Sequence, residues 1–278
     1  MSAISSAITR PFPRRAGMLR RLATLAQRRF QLTVRTPREL LVPLLTPIMF
    51  ALVIAPALKT ALHTPVSYEA FVAIGTVGLL VPLNTMFAGI GVIVDRREGA
   101  QRELLAAPIP RALLVVGNLL VALAITGLQV GVLVAAARAR GIHFHASTAG
   151  VLWFVGAVSL FTVGMYGVAE ILASRVPKQE EYIARVPAIA ILPWFLAGSL
   201  FPIAALPSVL TWVARLLPLT HGLALMRYGL LGDSSGLHNI WRMGSAPEMA
   251  ALSLAVVGVF AIALTAGSIR VFTRSAVA

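Results

Sequence analysis

The chain has 278 residues, of which 58% are hydrophobic and 12% charged, and its mean hydropathy is +0.85. A soluble domain carries about a quarter charged residues, so this composition excludes an ordinary soluble protein and indicates an integral membrane protein. The formal net charge of +14 is explained by basic residues that flank membrane spans, and we expect no nucleic-acid partner. The absence of cysteine excludes disulfides, thiolate metal sites and a cysteine nucleophile.

The first 36 residues precede the membrane spans. Residues 1–16 contain serine, proline and arginine, and we expect a disordered basic segment there. Residues 17–36 predict an amphipathic helix in the membrane interface, with Arg29 as an exception to its two-sided pattern. The apolar face comprises Met18, Leu22, Leu25 and Leu32, and the basic face comprises Arg20, Arg21, Arg28 and Arg35. We expect these arginines to face lipid phosphates; an ordinary solvated charge run is the alternative.

Residues 37–278 predict an all-α membrane domain with six transmembrane helices. The predicted spans are 40–58, 70–94, 112–137, 147–169, about 186–201, and 249–269. Two full spans between Val186 and Leu231 would bury Arg215. The region 203–231 therefore predicts a re-entrant helical hairpin that enters the outer leaflet, where irregular backbone must be buried in protein or line a cavity.

The distribution of basic residues predicts the orientation. With the amino terminus inside, 18 arginines and lysines fall in cytoplasmic segments and 6 in outer segments. The positive-inside rule therefore favours cytoplasmic amino and carboxyl termini. The abundance of alanine and arginine is typical of a bacterial genome rich in G and C, so we expect a multi-pass protein of the bacterial inner membrane.

The segment 95–111 is charged and lies between two long uncharged runs. Glu98 and Arg102 have the i,i+4 spacing that supports a short helix, and Gly99 relaxes the turn before it. Leu104 and Leu105 would place apolar surface in the cytoplasm unless a partner groove covers them. This pattern predicts a docking element; in the alternative, the leucines fold back onto the membrane surface.

Several functional motifs are missing from the sequence. It contains no phosphate-binding loop, no close cluster of histidines and acids, and no nucleophile motif, so we expect no catalytic residues and no metal site. An ion-coupled transporter requires ionisable groups near the middle of the membrane. Glu170 is the single candidate, and we favour a boundary role in which it pairs with a nearby arginine such as Arg175.

Three segments resemble the ABC-2-type permeases, in the order and spacing of that family. The first matches at Arg97, Glu98, Gly99, Glu103, Leu104, Pro108 and Arg111, and departs from the family pattern at Ala100 and Ala107. The second is Phe195–Pro207, in which Ala197 replaces the usual serine. The third comprises Leu217–His221 and Arg227. The chain is similar to the permeases of daunorubicin-resistance and nodulation-factor exporters.

The resemblance implies a type-II ABC exporter permease. Two six-span permeases, either a homodimer or this chain with a paralogue, would pair with separate ATPase subunits that bind ATP and Mg, so this chain would bind no cofactor. The implied ATPase-coupling residues are Arg97, Glu98, Gly99, Arg102, Glu103, Leu104, Leu105 and Pro108. The implied outer-gate residues are Phe201, Pro202, Pro207, Pro218, His221 and Arg227. Such a permease would contact membrane lipids and would export a hydrophobic or amphipathic substrate, either a drug or a lipid. An ion-coupled secondary transporter is the alternative.

Overall fold

The computed structural model describes residues 17–49, 53, 67–107 and 109–275. The predicted basic segment 1–16, most of the second half of the first predicted span, and Pro108 lie outside these residues. The described part of the chain is helical and contains no β-strand, which confirms the predicted all-α class.

The helices follow one another with short connections. The first four are α1 (Met18–Arg35), α2 (Pro37–Met49), α3 (Ser67–Arg97) and the short α4 (Ala100–Ala106). The next three are α5 (Arg111–Ala139), α6 (Thr148–Arg175) and α7 (Gln179–Leu196). After a 3₁₀ turn at Ile203–Ala205 come α8 (Ser208–Leu216), α9 (Pro218–Leu231), α10 (Ser235–Trp241) and α11 (Ala246–Ser275).

Helix α3 lies at the centre of the bundle. Its most apolar stretch is 78% buried, compared with 28% for that of α11. Residues on all sides of α3, such as Val77, Leu80 and Met86, are fully buried. A helix that is apolar all round is buried on all sides, whereas α11 keeps exposed apolar residues such as Ile262 that suit contact with lipid.

Helices α6 and α9 approach each other closely because two glycines face one another. A Cβ atom on Gly150 of α6 would collide with the carbonyl oxygen of Gly229, and a Cβ on Gly229 would lie within 2.9 Å of the backbone nitrogen of Phe154. Small residues permit such backbone contact between membrane helices. This contact fixes the hairpin region against the long helix α6.

Four described helices are long and apolar enough to cross a membrane: α3, α5, α6 and α11. They coincide with the predicted spans 70–94, 112–137, 147–169 and 249–269. Helices α8 and α9, bent by 81°, make a fifth span if they are counted as one. The exact count of six stays a prediction, since α7 carries charged residues in its first turn and the first predicted span is described only in part.

The bundle has two ends. At the end that we call the coupling end, α3, α6 and α11 finish, α5 and α7 begin, and α1 packs beside them. At the opposite end, which we call the hairpin end, α5 finishes, α6 begins, and α8, α9 and α10 lie together. The two sets of predicted functional residues therefore lie at opposite ends of the bundle.

Candidate functional site

The predicted docking segment forms a tight structure at the coupling end. Gly99 follows α3 in the left-handed conformation, with φ +81°, which glycine adopts without steric cost. Its carbonyl oxygen then accepts the backbone hydrogen bond of Arg102, 2.9 Å away, in the first turn of α4. The helix expected from the spacing of Glu98 and Arg102 is therefore present.

The outer side of this segment is charged and exposed. Its exposed charged residues are Arg97, Glu98, Arg102 and Glu103. The expected pair between Glu98 and Arg102 does not form; instead Arg97 lies 3.9 Å from Glu180 of α7. Such an exposed pair contributes little stability, so these charges remain available to a partner surface.

Leu104 and Leu105 face the opposite way. Both are half-buried and pack against a cluster formed mainly by α5, with Tyr166 of α6 and Phe272 of α11. Leu25 of α1 packs against the same cluster. The chain's own helices therefore cover part of the predicted apolar surface, and the two leucines hold α4 in place.

Helix α1 is attached to α3 by ion pairs. Asp95 accepts from Arg28 at 3.1 Å and from Arg29 at 3.4 Å, and Arg29 also donates to the carbonyl oxygen of Ala88 at 2.9 Å. The Arg29 guanidinium lies in the space that a side chain at Gly91 would occupy. The expectation that Arg28 faces lipid phosphates is wrong, because it pairs with Asp95.

Two further arginines hold helix ends together at the coupling end. Arg96 of α3 donates to the carbonyl oxygens of Ala173 and Val176, at 3.0 and 2.6 Å, where α6 ends. Arg111 of α5 donates to the carbonyl oxygen of Thr273 at 3.0 Å, where α11 ends. The last carbonyls of a helix lack intrahelical partners, and basic side chains satisfy them.

Glu170 is fully buried inside the bundle. The hydroxyl of Tyr166, one turn earlier on α6, donates to Glu170 Oε2 at 2.7 Å. No ion pair with Arg175 forms, so the favoured pairing is wrong. Oε1 of Glu170 has no hydrogen-bond partner among the described residues, which leaves a buried acceptor whose role the sequence did not reveal.

Prolines define the predicted outer hairpin. Pro202 precedes the 3₁₀ turn, Pro207 precedes α8, and Pro218 is the first residue of α9. The fixed φ of proline suits the start of a helix. Helices α8 and α9 meet at 81°, and Phe201 at the base of the hairpin is exposed. The broken helix pair is present, and its insertion into the outer leaflet stays a prediction.

His221 connects the hairpin to α11. Its Nε2 lies 2.9 Å from the carbonyl oxygen of Arg215, so this nitrogen must carry the hydrogen. Its Nδ1, 3.2 Å from Ser253 Oγ, is then the acceptor of the serine hydroxyl. Trp241 of α10 donates to the same oxygen at 2.8 Å. The network fixes the imidazole tautomer and joins four elements.

Arg227 connects α9 to α3. It is buried, and its Nη2 donates to the carbonyl oxygens of Phe71 at 3.3 Å and Ser199 at 3.1 Å. The guanidinium carbon lies 3.4 Å from the centre of the Phe71 ring, within range of a cation–π interaction. His221 and Arg227 therefore hold the hairpin in place.

The structure gives contacts to residues that the sequence did not predict to be functional, namely Asp95, Arg96, Arg215 and Ser253. The role of Asp95 could have been predicted, because an acid directly after an apolar span suits pairing with a basic helix. The role of Ser253 could not, because its hydrogen-bond partners are distant in sequence. The described residues contain no group of three or more acids and histidines placed to hold a metal.

Comparison with known proteins gives two findings. A model of the ABC-2 type transporter family matches residues 20–231. Nodulation protein J of Rhizobium leguminosarum bv. trifolii is 26% identical over 172 residues, which are 60% of this chain and 63% of that protein. The match thus spans less than two thirds of that relative's length. Because the family model covers well over half of the sequence, including both the coupling segment and the hairpin, the chain belongs to the ABC-2 type transporter family.

Proposed function

We propose that the chain is the permease subunit of an ATP-binding-cassette exporter that moves a hydrophobic or amphipathic substrate, drug-like or lipid-like, outward. Permeases of this family are membrane transport subunits that normally work with an ATPase subunit. The proposal adds that ATP is hydrolysed on a separate chain and that the substrate leaves between two permeases, either identical or paralogous.

The exposed charged face of α4 supports the ATPase contact. Arg102 and Glu103 extend from α4, and Arg97 and Glu98 lie directly before this helix. The inner side of α4 packs against α1, α5, α6 and α11. Charged groups on a firmly held helix suit a partner surface of complementary charge. When that partner moves α4, the helices packed against α4 would move with it, and the two ends of the bundle would open in turn.

Copurification tests the proposal. The tagged chain is isolated from its native host in mild detergent, and its partners are identified by mass spectrometry. We expect a stoichiometric ATPase that carries a phosphate-binding loop. Glu98→Lys should reduce its recovery while membrane insertion stays normal. Leu104→Asp should do the same, although this substitution also disturbs the cluster beneath α4.

The matched control is Glu248→Lys, which makes the same charge change at an exposed position of the hairpin end. Recovery of the ATPase should be unaffected by it. An equal loss from Glu98→Lys and Glu248→Lys would remove the argument from α4, and recovery of the chain alone would contradict the exporter.

The buried carboxyl group of Glu170 favours one alternative, an ion-coupled secondary transporter. Efflux of a fluorescent amphipathic dye from cells separates the two. The exporter requires ATP and tolerates Glu170→Gln, which keeps an oxygen for the Tyr166 hydroxyl. A proton-coupled transporter continues after ATP depletion, stops when the proton gradient collapses, and is inactivated by Glu170→Gln.

We also propose an inner-membrane location with cytoplasmic termini and coupling end. A small epitope tag at residue 180 should react only after the membrane is opened, and a tag at residue 236 should react on intact spheroplasts. The reverse labelling would overturn this orientation and the docking of an ATPase at α4.

A further inference from the structure

An open groove lies at the hairpin end, between the 3₁₀ turn, α8 and α10. Its volume is about 440 Å³, within the range of sites for small molecules. The wall between the turn and α8 is held by Thr211, whose hydroxyl lies 3.1 Å from the carbonyl oxygen of Ile203 and 3.0 Å from that of Leu206. The groove is therefore a formed feature of the fold.

The lining of the groove is cationic. Arg215, His238 and Arg242 face it together with neutral polar groups, among them Ser208 and Asn239. None of the described residues that line it carries a carboxylate. Positive charge on the predicted outer side of a membrane protein runs against the general distribution of arginine and lysine. The presence of two arginines at one groove therefore suggests a function for their charge at this place.

Arg215 is oriented in advance of any ligand. Its Nε donates to the carbonyl oxygen of Asn239 at 3.0 Å, and its guanidinium carbon lies 5.0 Å from the centre of the Trp212 ring. Its own carbonyl oxygen is held by His221. The backbone, Nε and plane of this guanidinium are thus fixed, and its two terminal nitrogens are the donors left for a bidentate anion.

Arg242 occupies a position that favours glycine. It ends α10 with φ +56° and is the one non-glycine residue of positive φ in the described part of the chain. Glycine is the usual residue at such a helix end. The Arg242 side chain is exposed and forms no ion pair with a described residue. An arginine here places a guanidinium at the groove in spite of an unfavourable backbone conformation.

An apolar strip lies beside the groove on α8. Ser208, Thr211, Trp212 and Arg215 line the groove along one side of the helix. About 100° around the helix, Val209, Val213 and Leu216 are 71%, 41% and 80% exposed. Trp212, 66% exposed, stands where the two sides meet. Helix α8 thus offers cationic and apolar surfaces side by side.

We infer that this groove binds the anionic headgroup of an amphipathic lipid, whose acyl chains lie along the apolar strip of α8. Two guanidinium groups without a carboxylate nearby suit a phosphate or carboxylate, and the strip suits hydrocarbon. That such an amphiphile is the exported substrate class rests on the proposed function; the headgroup site itself does not.

The test measures lipid selectivity at Trp212 in the full chain. The protein is placed in nanodiscs that contain phosphatidylglycerol or phosphatidylcholine with brominated acyl chains, which quench tryptophan fluorescence on contact. The Trp212→Phe variant identifies the signal of this residue among the four tryptophans. The ratio of the two quenching constants gives the preference for the anionic headgroup.

The wild-type chain should prefer phosphatidylglycerol, and each of Arg215→Gln and Arg242→Gln should lower the preference by about fivefold. The Arg242→Gln variant is informative by itself, because it breaks no ion pair among the described residues of the hairpin end. The matched control removes Arg138 and Arg140, two exposed arginines of the same end that lie outside the groove, and should keep the preference.

The headgroup site would be overturned if the wild-type chain showed no preference for phosphatidylglycerol. It would also be overturned if the variant that carries both Arg215→Gln and Arg242→Gln showed the same preference as the wild type. Loss of the preference in excess inorganic phosphate at constant ionic strength would reassign the groove to free anions and overturn the lipid assignment. No ATPase is present in this experiment. Its failure therefore leaves the exporter proposal standing, and failure of the copurification leaves the headgroup site standing.

Discussion

Asp95 is the residue at which the attachment of α1 can be tested most directly. The substitution Asp95→Asn keeps the size of the side chain and one acceptor oxygen but removes the negative charge. Arg29, whose side chain is 8% exposed, then loses its ion pair, and Arg28, 35% exposed, loses its own. We expect α1 to separate more often from α3 and α5.

The structure sets the size of this effect. Removal of one partner from a buried ion pair costs about 3–5 kcal/mol. The retained amide oxygen and the remaining bond from Arg29 to Ala88 reduce this value, so we expect a loss of about 2–3 kcal/mol in the docking free energy of α1. This loss corresponds to a rise of roughly 30- to 150-fold in the undocked population.

Thiol labelling measures that population. The natural chain contains no cysteine, so a single cysteine can be placed at Val121, a buried residue of the small cavity that Arg29 and Thr33 of α1 also line. A maleimide reacts with it only when α1 is displaced. The labelling rate in the Asp95→Asn background should rise by roughly 30- to 150-fold over the same cysteine in the wild-type background.

Arg28→Gln provides the graded control. Its pair with Asp95 is partly exposed and contributes about 1 kcal/mol or less, so labelling should rise by no more than about fivefold. If Asp95→Asn and Arg28→Gln changed the rate equally, or if neither changed it, the buried pair of Arg29 would not be what holds α1.

Three further substitutions test packing. Ser253→Ala leaves the buried His221 and the half-buried Trp241 without this hydrogen-bond partner. The loss of about 2 kcal/mol should lower the melting temperature by roughly 4–8 °C, and an unchanged melting temperature would contradict the network. Gly91→Ala places a methyl group in the space of the Arg29 guanidinium and should raise the same labelling rate by about tenfold, whereas Gly127→Ala, with open space around it, should not. Arg227→Lys removes a planar group stacked on an aromatic ring and should destabilise the protein by about 2 kcal/mol in chemical denaturation; full stability would refute the role given to that contact.

Local sequence patterns predicted what depends on neighbours along the chain. The apolar runs located four long helices, and Pro207 and Pro218 marked the starts of α8 and α9 because proline acts on its own backbone. Likewise, Arg29 stood out as the exception on the face of α1. Its pairing with Asp95 joins residues 66 apart along the chain, which no local pattern encodes.

The interpretation of Glu170 was wrong for a reason that helix geometry supplies. Residues five apart on a helix are turned about 140° from each other, so Arg175 points away from it. Residues four apart share a face, and Tyr166 occupies that position. By contrast, the burial of Leu104 and Leu105 depended on how the ends of α5, α6 and α11 assemble, which no local pattern encodes.

The arginine contacts at the coupling end give the molecule an unequal mechanical character. Arg96 joins α3 to the end of α6, and Arg111 joins α5 to the end of α11. A displacement of α4 would therefore act on four long helices that are linked in pairs. At the far end, by contrast, a single residue, Leu217, separates two helices set at 81°. The long helices are thus joined to one another by side-chain contacts at the coupling end, whereas at the hairpin end the bend between α8 and α9 rests on the backbone of one residue.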